Sequence, residues 1–239
     1  MVQYFHKAEK IKAYMSDGAD DNLSLKWGRA HGGANRTLFL SKFGLNVSNL
    51  ITAEQVHGSH VAVVGAKERG MGSENKDWIK KCDGLITSER EVILGVETAD
   101  CAPILFWEDK KGIIGIAHSG WRGTVKNIAQ QMVNKIVQLG GNVKNIQVEI
   151  GPHIGKCCFE IKKDVADEFI NWPKALSCVG TKKYLDLTAV IKSQLIQCGV
   201  NKRRILSSKH CTAHEQNFYS YRRQGVDLDG AMLSVIMMI

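Results

Sequence analysis

Two apolar segments joined by a short polar turn constrain the fold of this chain more than any other feature. The segments are Ile104 to Trp107 and Ile113 to Ala117, and the turn between them is Glu108 to Gly112. A polar turn with glycine near its end is typical of a β-hairpin. The sequence therefore predicts two antiparallel strands, whose outer ends bring the flanking residues close together.

An amphipathic helix is predicted after the hairpin. Its apolar positions have the spacing of one helical face, and they are Val125, Ile128, Ala129, Met132, Val133, Ile136 and Val137. Thr124 is suited to cap its start, and Gly140 and Gly141 to end it. Other strand and helix patterns mix along the chain without strict alternation. We therefore expect an α+β fold in which a mixed β-sheet is packed by helices in layers.

Length and composition indicate one domain over residues 1–239, since the chain has only three prolines and no linker-like run. The formal charge is +8, but the longest basic cluster, Lys202 to Arg204, lacks interleaved aromatic residues. We interpret it as a solvated face and expect no nucleic-acid partner. No stretch approaches the roughly 18 apolar residues of a membrane span, so no membrane partner is expected.

The seven cysteines are an odd number, and Met1 to Lys12 do not read as an export signal. We therefore predict free thiols in a reducing compartment and a cytoplasmic location. The adjacent Cys157 and Cys158 are interpreted as structural thiols. His210, Cys211 and His214 have a ligand-like spacing, but a core or surface role is favoured over a second metal site.

Cys101 and His118 are the first candidate pair of functional side chains. If the hairpin turn is centred between Asp109 and Lys110, the two residues face each other across the strands, with Cβ atoms roughly 4.5–5.5 Å apart. A thiolate and an imidazole at this distance are suited to bind zinc. They are also suited to act as nucleophile and base, or simply to pack in the core.

The segment after His118 indicates an anion site. It runs from a strand end to a helix start, where main-chain amides and the helix dipole attract anions. Glycines allow close approach, and Arg122 offers a bidentate donor. The residues predicted to bind phosphate are Ser119, Gly120, Arg122 and Gly123. The segment lacks the spacing of a Walker loop.

Six short motifs make the sequence recognisable. In order, they are Gln55-Val56-His57-Gly58, Asp83-Gly84-Leu85-Ile86-Thr87, Thr98-Ala99-Asp100-Cys101-Ala102-Pro103, Ala117-His118-Ser119-Gly120-Trp121-Arg122-Gly123, Gly151-Pro152-His153-Ile154-Gly155 and Phe218-Tyr219-Ser220-Tyr221-Arg222-Arg223. In these motifs the chain resembles the bacterial multicopper polyphenol oxidase or laccase-domain family, whose members are regarded as purine nucleoside phosphorylases. The resemblance covers about Gln55 to Arg223.

The resemblance implies a zinc or copper ion bound by His57, Cys101 and His118. Three protein ligands leave one tetrahedral position open, as a catalytic zinc site requires. His60 is disfavoured as a fourth ligand, because on a strand it would point away from His57. Asp83 is interpreted either as a turn former or as a hydrogen-bond partner of a metal-bound imidazole.

The implied activity is phosphorolysis of adenosine, inosine and methylthioadenosine, with some deamination of adenosine. Purine nucleosides and phosphate would be the partners, and Cys101, His118 and Arg122 the catalytic residues. Alternatives are a Cys–His hydrolase or amidase acting on peptidoglycan precursors with Cys101 as nucleophile, a laccase-like polyphenol oxidase, and a non-catalytic metal-binding protein. The sequence does not predict the oligomeric state.

Two segments depart from the family pattern. Gln224 to Gly230 contains Asp227 and Asp229 where the family usually has a Thr-Gly-Arg-like segment. The amino-terminal third shows only Asn22 to Leu25 and Asn35-Arg36 as echoes of the usual Arg-Gly-Gly-Val-Ser pattern. Substrate-binding residues are therefore not assigned in either segment.

Overall fold

Three β-sheets carry the fold. In a computed structural model, residues 2–4, 9–27 and 32–239 are described, and they form fourteen strands and six α-helices. This confirms the predicted α+β class. The sequence had indicated one mixed sheet, whereas two of the three sheets combine parallel and antiparallel pairs.

The first sheet has five strands in the order β1-β2-β14-β6-β3. Their bounds are Val2–Gln3 (β1), Ile11–Met15 (β2), Leu50–Thr52 (β3), Ile93–Thr98 (β6) and Met232–Met238 (β14). Strand β14 pairs antiparallel with both β2 and β6, and β3 pairs parallel with β6. The last strand of the chain therefore lies in the middle of this sheet.

The second sheet has six strands in the order β13-β9-β7-β8-β5-β4. Their bounds are Val61–Val63 (β4), Gly84–Thr87 (β5), Ala102–Glu108 (β7), Ile113–Ser119 (β8), Ile146–Ile150 (β9) and Ile205–Ser207 (β13). Strands β7 and β8 form the predicted hairpin at the centre of the sheet. The outer pairs, β13 with β9 and β4 with β5, are parallel.

A small third sheet and six helices complete the architecture. The sheet contains Glu160–Ile161 (β10), Leu176–Val179 (β11) and Lys182–Leu185 (β12) in the order β10-β12-β11. The helices are Gly32–Ser41 (α1), Trp121–Val125 (α2), Ile128–Gln138 (α3), Lys163–Glu168 (α4), Leu187–Gln197 (α5) and Tyr221–Gln224 (α6). None of the helices in the described ranges has the length and apolar character needed to cross a bilayer.

Alternate residues of the central strands point into different layers. On β8, Ile116 packs between the two large sheets and Ala117 packs on the side of α3 and α5. On β14, Ile236 faces the inter-sheet layer and Val235 faces α1. The fold therefore has four layers: α1, the five-stranded sheet, the six-stranded sheet, and α3 with α5. Because each large sheet is covered on both faces, its strands are apolar on both faces.

The predicted single helix is divided in two. Helix α2 ends at Val125, and Asn127 adopts a left-handed conformation with a φ of 60° before α3 begins at Ile128. Asparagine is one of the few residues other than glycine that adopts this conformation readily. The apolar stripe continues across the break, because Val125 before it packs against the same core as Ile128 and Met132 after it. The residue spacing predicted most of the buried face, but Val137 is exposed and Thr124 lies inside α2 instead of capping the helix. The spacing also did not reveal the interruption.

Candidate metal centre

Three potential metal ligands from separate parts of the chain meet where the central strands of the six-stranded sheet end. Cys101 immediately precedes β7, His118 lies near the end of β8, and His57 lies in the loop before β4. The Sγ atom of Cys101 is 3.9 Å from Nε2 of His57. The rings of His57 and His118 are nearly perpendicular, with centroids 4.8 Å apart. One donor atom from each residue lies within 4.8 Å of the other two.

The hairpin register differs from the predicted one. Pro103 is the β-bridge partner of His118, so the assumed direct pairing of Cys101 with His118 was wrong by two residues. The turn is centred one position further along the chain than we expected. A displacement of two residues keeps a side chain on the same face of a strand. This is why Cys101 and His118 still meet although they are not opposite each other.

Asp83 connects two of the three candidate ligands. Its Oδ1 atom lies 2.8 Å from Nδ1 of His118, so Nε2 of the ring is left for a metal ion. Its carboxylate also accepts hydrogen bonds from the main-chain amides of Val56, His57 and Gly58, at 3.2, 3.0 and 2.7 Å. Asp83 therefore both shapes the loop of His57 and orients His118. The hydrogen bond to the His118 imidazole is as predicted, while the binding of a metal by that imidazole stays a prediction.

The loop that carries His57 has an unusual backbone. His57 is in the left-handed region, with a φ of 57°, where residues other than glycine are uncommon. His60 lies in the same loop and is exposed, so the strand geometry on which we had judged it was wrong. The group of three potential metal ligands contains His57 and not His60.

Cys101, His118 and Asp83 shift one another's pKa values through their contacts. Burial alone would raise the pKa of Cys101, but the charge of His118 and hydrogen bonds with both histidines lower it to about 6. Burial would lower the pKa of His118, yet Cys101 and Asp83 raise it to about 9. Burial would also raise the pKa of Asp83, but its hydrogen bonds with His118 and with the loop amides lower that pKa overall. The cysteine is therefore held as a thiolate, the form that binds metals.

These donors fit a zinc or copper ion. Zinc binds sulfur at about 2.3 Å and imidazole nitrogen at about 2.0–2.1 Å, so one ion can bind both atoms only if they are less than about 4.4 Å apart. The 3.9 Å separation of Cys101 Sγ and His57 Nε2 satisfies this limit. A thiolate with two imidazoles suits zinc and also copper. Three protein ligands leave a fourth position open.

A cavity of about 490 Å³ opens beside the three donors. Its walls combine aromatic rings with cationic side chains, a composition suited to a flat or phosphate-bearing molecule. Two acidic residues, Glu97 and Asp100, also line the cavity, and each accepts a hydrogen bond from a hydroxyl group. The lining residues include Lys26, Trp27, His57, Cys101, His118, Gly120, Trp121, Arg122, Phe159, Tyr221 and Arg222.

The two glycines of the turn after His118 make room for the candidate ligands. A Cβ atom on Gly120 would lie 2.8 Å from Sγ of Cys101 and 3.0 Å from Cδ2 of His57. A Cβ atom on Gly123 would lie 3.0 Å from the carbonyl oxygen of Gly58, in the His57 loop. The sequence had indicated close approach of an anion at these glycines, whereas the structure shows close approach of the ligands and their loop.

The side chains of this turn have different environments. The hydroxyl of Ser119 is buried and lies 2.9 Å from that of Thr124, which donates to the carbonyl of Gly120. Arg122 is exposed at the cavity, and its guanidinium stacks 4.2 Å from the centre of the Trp121 ring. Arg122 is therefore accessible to an anion, while the phosphate roles of Ser119 and Gly123 stay predictions.

A buried ion pair between Arg36 and Glu97 supports one wall of the cavity. Arg36 also donates to the carbonyl oxygens of Leu23 and Gly72, at 2.7 and 2.6 Å. The second carboxylate oxygen of Glu97 accepts from Ser24 at 2.6 Å. We had noted Arg36 and Ser24 only as echoes of a family pattern. Glu97, at the end of β6, was missed because nothing in the sequence indicates its partner.

Asp100 connects the candidate ligand Cys101 to the carboxy-terminal part of the chain. It has a φ of 93°, a conformation that costs energy for residues other than glycine. Its carboxylate accepts from the hydroxyls of Thr212 and Ser220, at 2.6 and 3.0 Å, and from the amide of Arg222 at 2.6 Å. The sequence motif that contains both residues indicates a role for Cys101 but does not indicate the role of Asp100.

Sequence comparisons identify the relatives of this chain. A family model described as "Multi-copper polyphenol oxidoreductase laccase" matches residues 19–239. Adenosine deaminase RL5, from an unknown prokaryotic organism, is 32% identical over 200 residues, which are 80% of this chain and 76% of the relative. Purine nucleoside phosphorylase YlmD of Bacillus subtilis is 34% identical over 213 residues, which are 85% of this chain and 76% of the relative.

Solved structures have the same fold. The crystal structure of YlmD from Geobacillus stearothermophilus aligns with a TM-score of 0.90 at 30% identity, over 96% of this chain and 92% of that one. Hypothetical protein YfiH of Bacillus licheniformis aligns with a TM-score of 0.90 at 28% identity, over 96% and 93%. The similarity therefore extends over nearly the whole of each chain.

Proposed function

Because this chain belongs to the multi-copper polyphenol oxidoreductase laccase family, we propose that it is a metal-dependent purine nucleoside phosphorylase acting on adenosine, inosine and methylthioadenosine. The observation that carries the proposal is the group of three donors beside a cavity with both aromatic and cationic walls. The two relatives described above, a purine nucleoside phosphorylase and an adenosine deaminase, both support purine nucleosides as substrates.

Phosphate would bind at Arg122. This side chain is exposed at the cavity beside the candidate ligands, and its stacking on Trp121 fixes the plane of the guanidinium. A guanidinium in a fixed plane offers two parallel N–H donors to phosphate oxygens. Arg222 lies on the same cavity and is held 5.5 Å over the ring of Phe159. The two arginines supply the charge that an anionic nucleophile needs.

The purine would bind against the aromatic wall. Trp27 and Tyr221 line the cavity with ring centroids 6.4 Å apart. Flat rings of this kind bind a purine base through stacking and apolar contact. Trp27 is held near the site by a neighbour of the Arg36–Glu97 pair, because its main-chain amide donates to the hydroxyl oxygen of Ser24 at 3.0 Å. The amino-terminal part would therefore contribute to base binding.

In the reaction, an oxygen of phosphate forms a bond to the anomeric carbon while the bond from that carbon to the purine nitrogen breaks. The purine leaves with a proton, and the sugar keeps the phosphate as ribose 1-phosphate. Arg122 and Arg222 would orient phosphate toward the sugar and stabilise the charge of the transition state. A zinc ion, or copper, bound by His57, Cys101 and His118 would supply a Lewis acid that polarises a substrate atom. Asp83 would keep His118 in the ligating tautomer.

Two other activities are compatible with part of the site. A thiol with a lowered pKa beside a histidine is also a nucleophile, as a Cys–His hydrolase or amidase needs. The family description also names polyphenol oxidation. Deamination of adenosine would be a second activity of the same site, because water could replace phosphate as nucleophile, attacking the base and releasing ammonia.

The test is turnover of inosine by metal-replete protein with and without inorganic phosphate. We expect ribose 1-phosphate and hypoxanthine only when phosphate is present. Free ribose at the same rate without phosphate would identify a hydrolase instead. Lack of turnover of all three nucleosides would contradict the proposal, and assays with peptidoglycan peptides and with phenols under oxygen would then test the amidase and the oxidase.

Variants connect the activity to the site. Cys101→Ser should abolish turnover and lower the metal content. Cys178→Ser is the matched control, because Cys178 is an exposed free cysteine on β11 and should be dispensable. Full turnover by metal-free Cys101→Ser would mean that the donor group does not take part in catalysis.

A further inference from the structure

A second group of sulfur atoms lies away from the candidate metal centre. Cys157, Cys158 and Cys211 have sulfur atoms that all lie within 4.8 Å of one another. The two neighbouring sulfur atoms, of Cys157 and Cys158, are 3.6 Å apart. We had interpreted the neighbouring pair as structural thiols and had placed Cys211 with His210 and His214. The structure instead joins Cys211 to the pair, and His210 is bonded to Glu215.

The parallel pairing of β9 with β13 explains why these residues meet. The two strands end at the same edge, so the loop after Ile150 and the loop after Ser207 run side by side. His153 forms an isolated bridge with Cys211. Gly155 lies beside the thiols, because a Cβ atom there would be 3.3 and 3.4 Å from the sulfur atoms of Cys157 and Cys211. The backbone thus keeps the three thiols compact.

The cluster has the properties of a ligand set. Its members range from the exposed Cys157 to the buried Cys211, so an ion can enter from solvent and be partly enclosed. The amide of Gly155 donates to Sγ of Cys211 at 3.1 Å. The three sulfur atoms are close enough together to share one ion.

We propose that Cys157, Cys158 and Cys211 bind one soft metal ion of the Cu(I) type through three thiolates. Sulfur atoms bound to one ion at about 2.3 Å lie no more than about 4.6 Å apart, and the three sulfur atoms of this cluster, all within 4.8 Å of one another, are close to that spacing. A donor set of sulfur alone selects soft ions over magnesium, calcium or manganese. Binding would release the thiol protons to solvent, since the thiolate is the ligand.

The ion would join two loops, and the loop of Cys157 and Cys158 borders the substrate cavity. The carbonyl of Cys158 accepts a hydrogen bond from Arg222 at 3.3 Å, and Phe159 forms part of the cavity wall. The cluster shares no ligand with the group of His57, Cys101 and His118. The two sites can therefore be tested separately.

The experiment is an anaerobic titration of the reduced, full-length protein with Cu(I) in competition with a chromophoric Cu(I) chelator. Cys101→Ser is the starting protein, because it removes the thiolate of the first site. We expect it to bind one equivalent of Cu(I) with the ultraviolet absorption of copper–thiolate bonds. Adding Cys157→Ser, at an exposed position that folding should tolerate, should remove that equivalent. Cys178→Ser, the exposed control, should leave it unchanged.

Two results would overturn the proposal. One is retention of the full equivalent by the Cys101→Ser/Cys157→Ser protein and also by Cys101→Ser/Cys211→Ser. The other is failure of the reduced Cys101→Ser protein to compete with the chelator at all. X-ray absorption of the copper-loaded protein gives an independent check, since three sulfur neighbours support the site and nitrogen neighbours contradict it. These outcomes do not depend on nucleoside turnover, so the proposed function is tested separately.

Discussion

Nδ1 of His118 lies 2.8 Å from Oδ1 of Asp83, and the main-chain amide of His118 donates to the carbonyl of Asp83 at 2.7 Å. The two residues are thus joined through both side chain and backbone. The side-chain bond fixes which ring nitrogen of His118 can bind a metal. The remaining carboxylate contacts hold the loop of His57, so one residue positions two of the three ligands.

We therefore predict that Asp83→Asn weakens metal binding by about 10- to 100-fold, the usual effect of removing a carboxylate that orients a ligating histidine. The measurement is a competition titration with a zinc chelator on purified protein. Asp17→Asn is a suitable control. Asp17 also accepts a hydrogen bond from a main-chain amide, that of Ala19, but in a turn that carries none of the three candidate ligands. Unchanged affinity in Asp83→Asn would show that the bond to His118 does not set the ligand geometry.

Gly120→Ala should reduce metal occupancy while the protein still folds. The added Cβ atom would lie 2.8 Å from Sγ of Cys101 and 3.0 Å from the His57 ring, so a ligand must move. Metal analysis after dialysis is the measurement. Gly44→Ala is the control, since its left-handed backbone makes alanine cost about 1 kcal/mol but its Cβ meets no neighbour. Full occupancy in Gly120→Ala would contradict the described packing.

The reactivity of Cys101 in metal-free protein should follow its lowered pKa of about 6. Above pH 6 the thiolate persists, so alkylation should be nearly independent of pH between 7 and 9. Below pH 6 the thiol is protonated, and the rate should fall about tenfold for each pH unit. Mass spectrometry of the Cys101 peptide after timed iodoacetamide treatment measures this. His118→Ala should move the inflection to higher pH, and an inflection near the ordinary value of free cysteine in the unmodified protein would contradict the prediction.

Arg122→Gln should raise the KM for phosphate about 10- to 100-fold, because one hydrogen bond to a charged group contributes about 1.5–3 kcal/mol. The KM for inosine and the metal content should change little. Initial rates at varied phosphate concentration measure this KM. Arg203→Gln is the matched control, since Arg203 is exposed and lies outside the cavity lining. Equal phosphate dependence in both variants would remove Arg122 from the phosphate site.

Arg36→Met should destabilise the protein by about 3–5 kcal/mol, the usual cost of leaving one partner of a buried ion pair without the other. Arg36 is completely buried and bonds Glu97 together with the carbonyls of Leu23 and Gly72. Denaturant unfolding measures the change. Arg203→Met should alter stability by no more than about 0.5 kcal/mol. A loss below about 1 kcal/mol in Arg36→Met would show that the network contributes little.

The sequence predicted the hairpin and the buried face of its following helix because both depend on local apolar spacing. The hairpin register depends on where a polar turn folds, and Glu108 to Gly112 offer several neighbouring positions. The structure pairs Pro103 with His118, two residues from our expectation. The break at Asn127 was not predictable from apolar spacing, since the stripe continues across it.

The site was predicted unevenly for the same reason. Residue spacing suggested the proximity of Cys101 and His118, whereas His57 entered only through the family motifs. The contact between Arg36 and Glu97 joins residues far apart in sequence and depends on how the sheets pack. The same holds for Cys211, whose place beside Cys157 follows from the pairing of β9 with β13. Contacts of this kind have no local sequence signal.

The position of β14 has a consequence for the order in which the protein is made. Residues 232–238 fill the gap between β2 and β6, and Asp100 takes its partners from Thr212, Ser220 and Arg222. A ribosome delivers these segments after His57, Cys101 and His118 have already emerged. During synthesis the three candidate ligands are therefore present while the edges of β2 and β6 are still unpaired. Asp100 still lacks its hydroxyl partners at that stage. The surroundings of Cys101 are consequently completed only after residues 212–238 have been made.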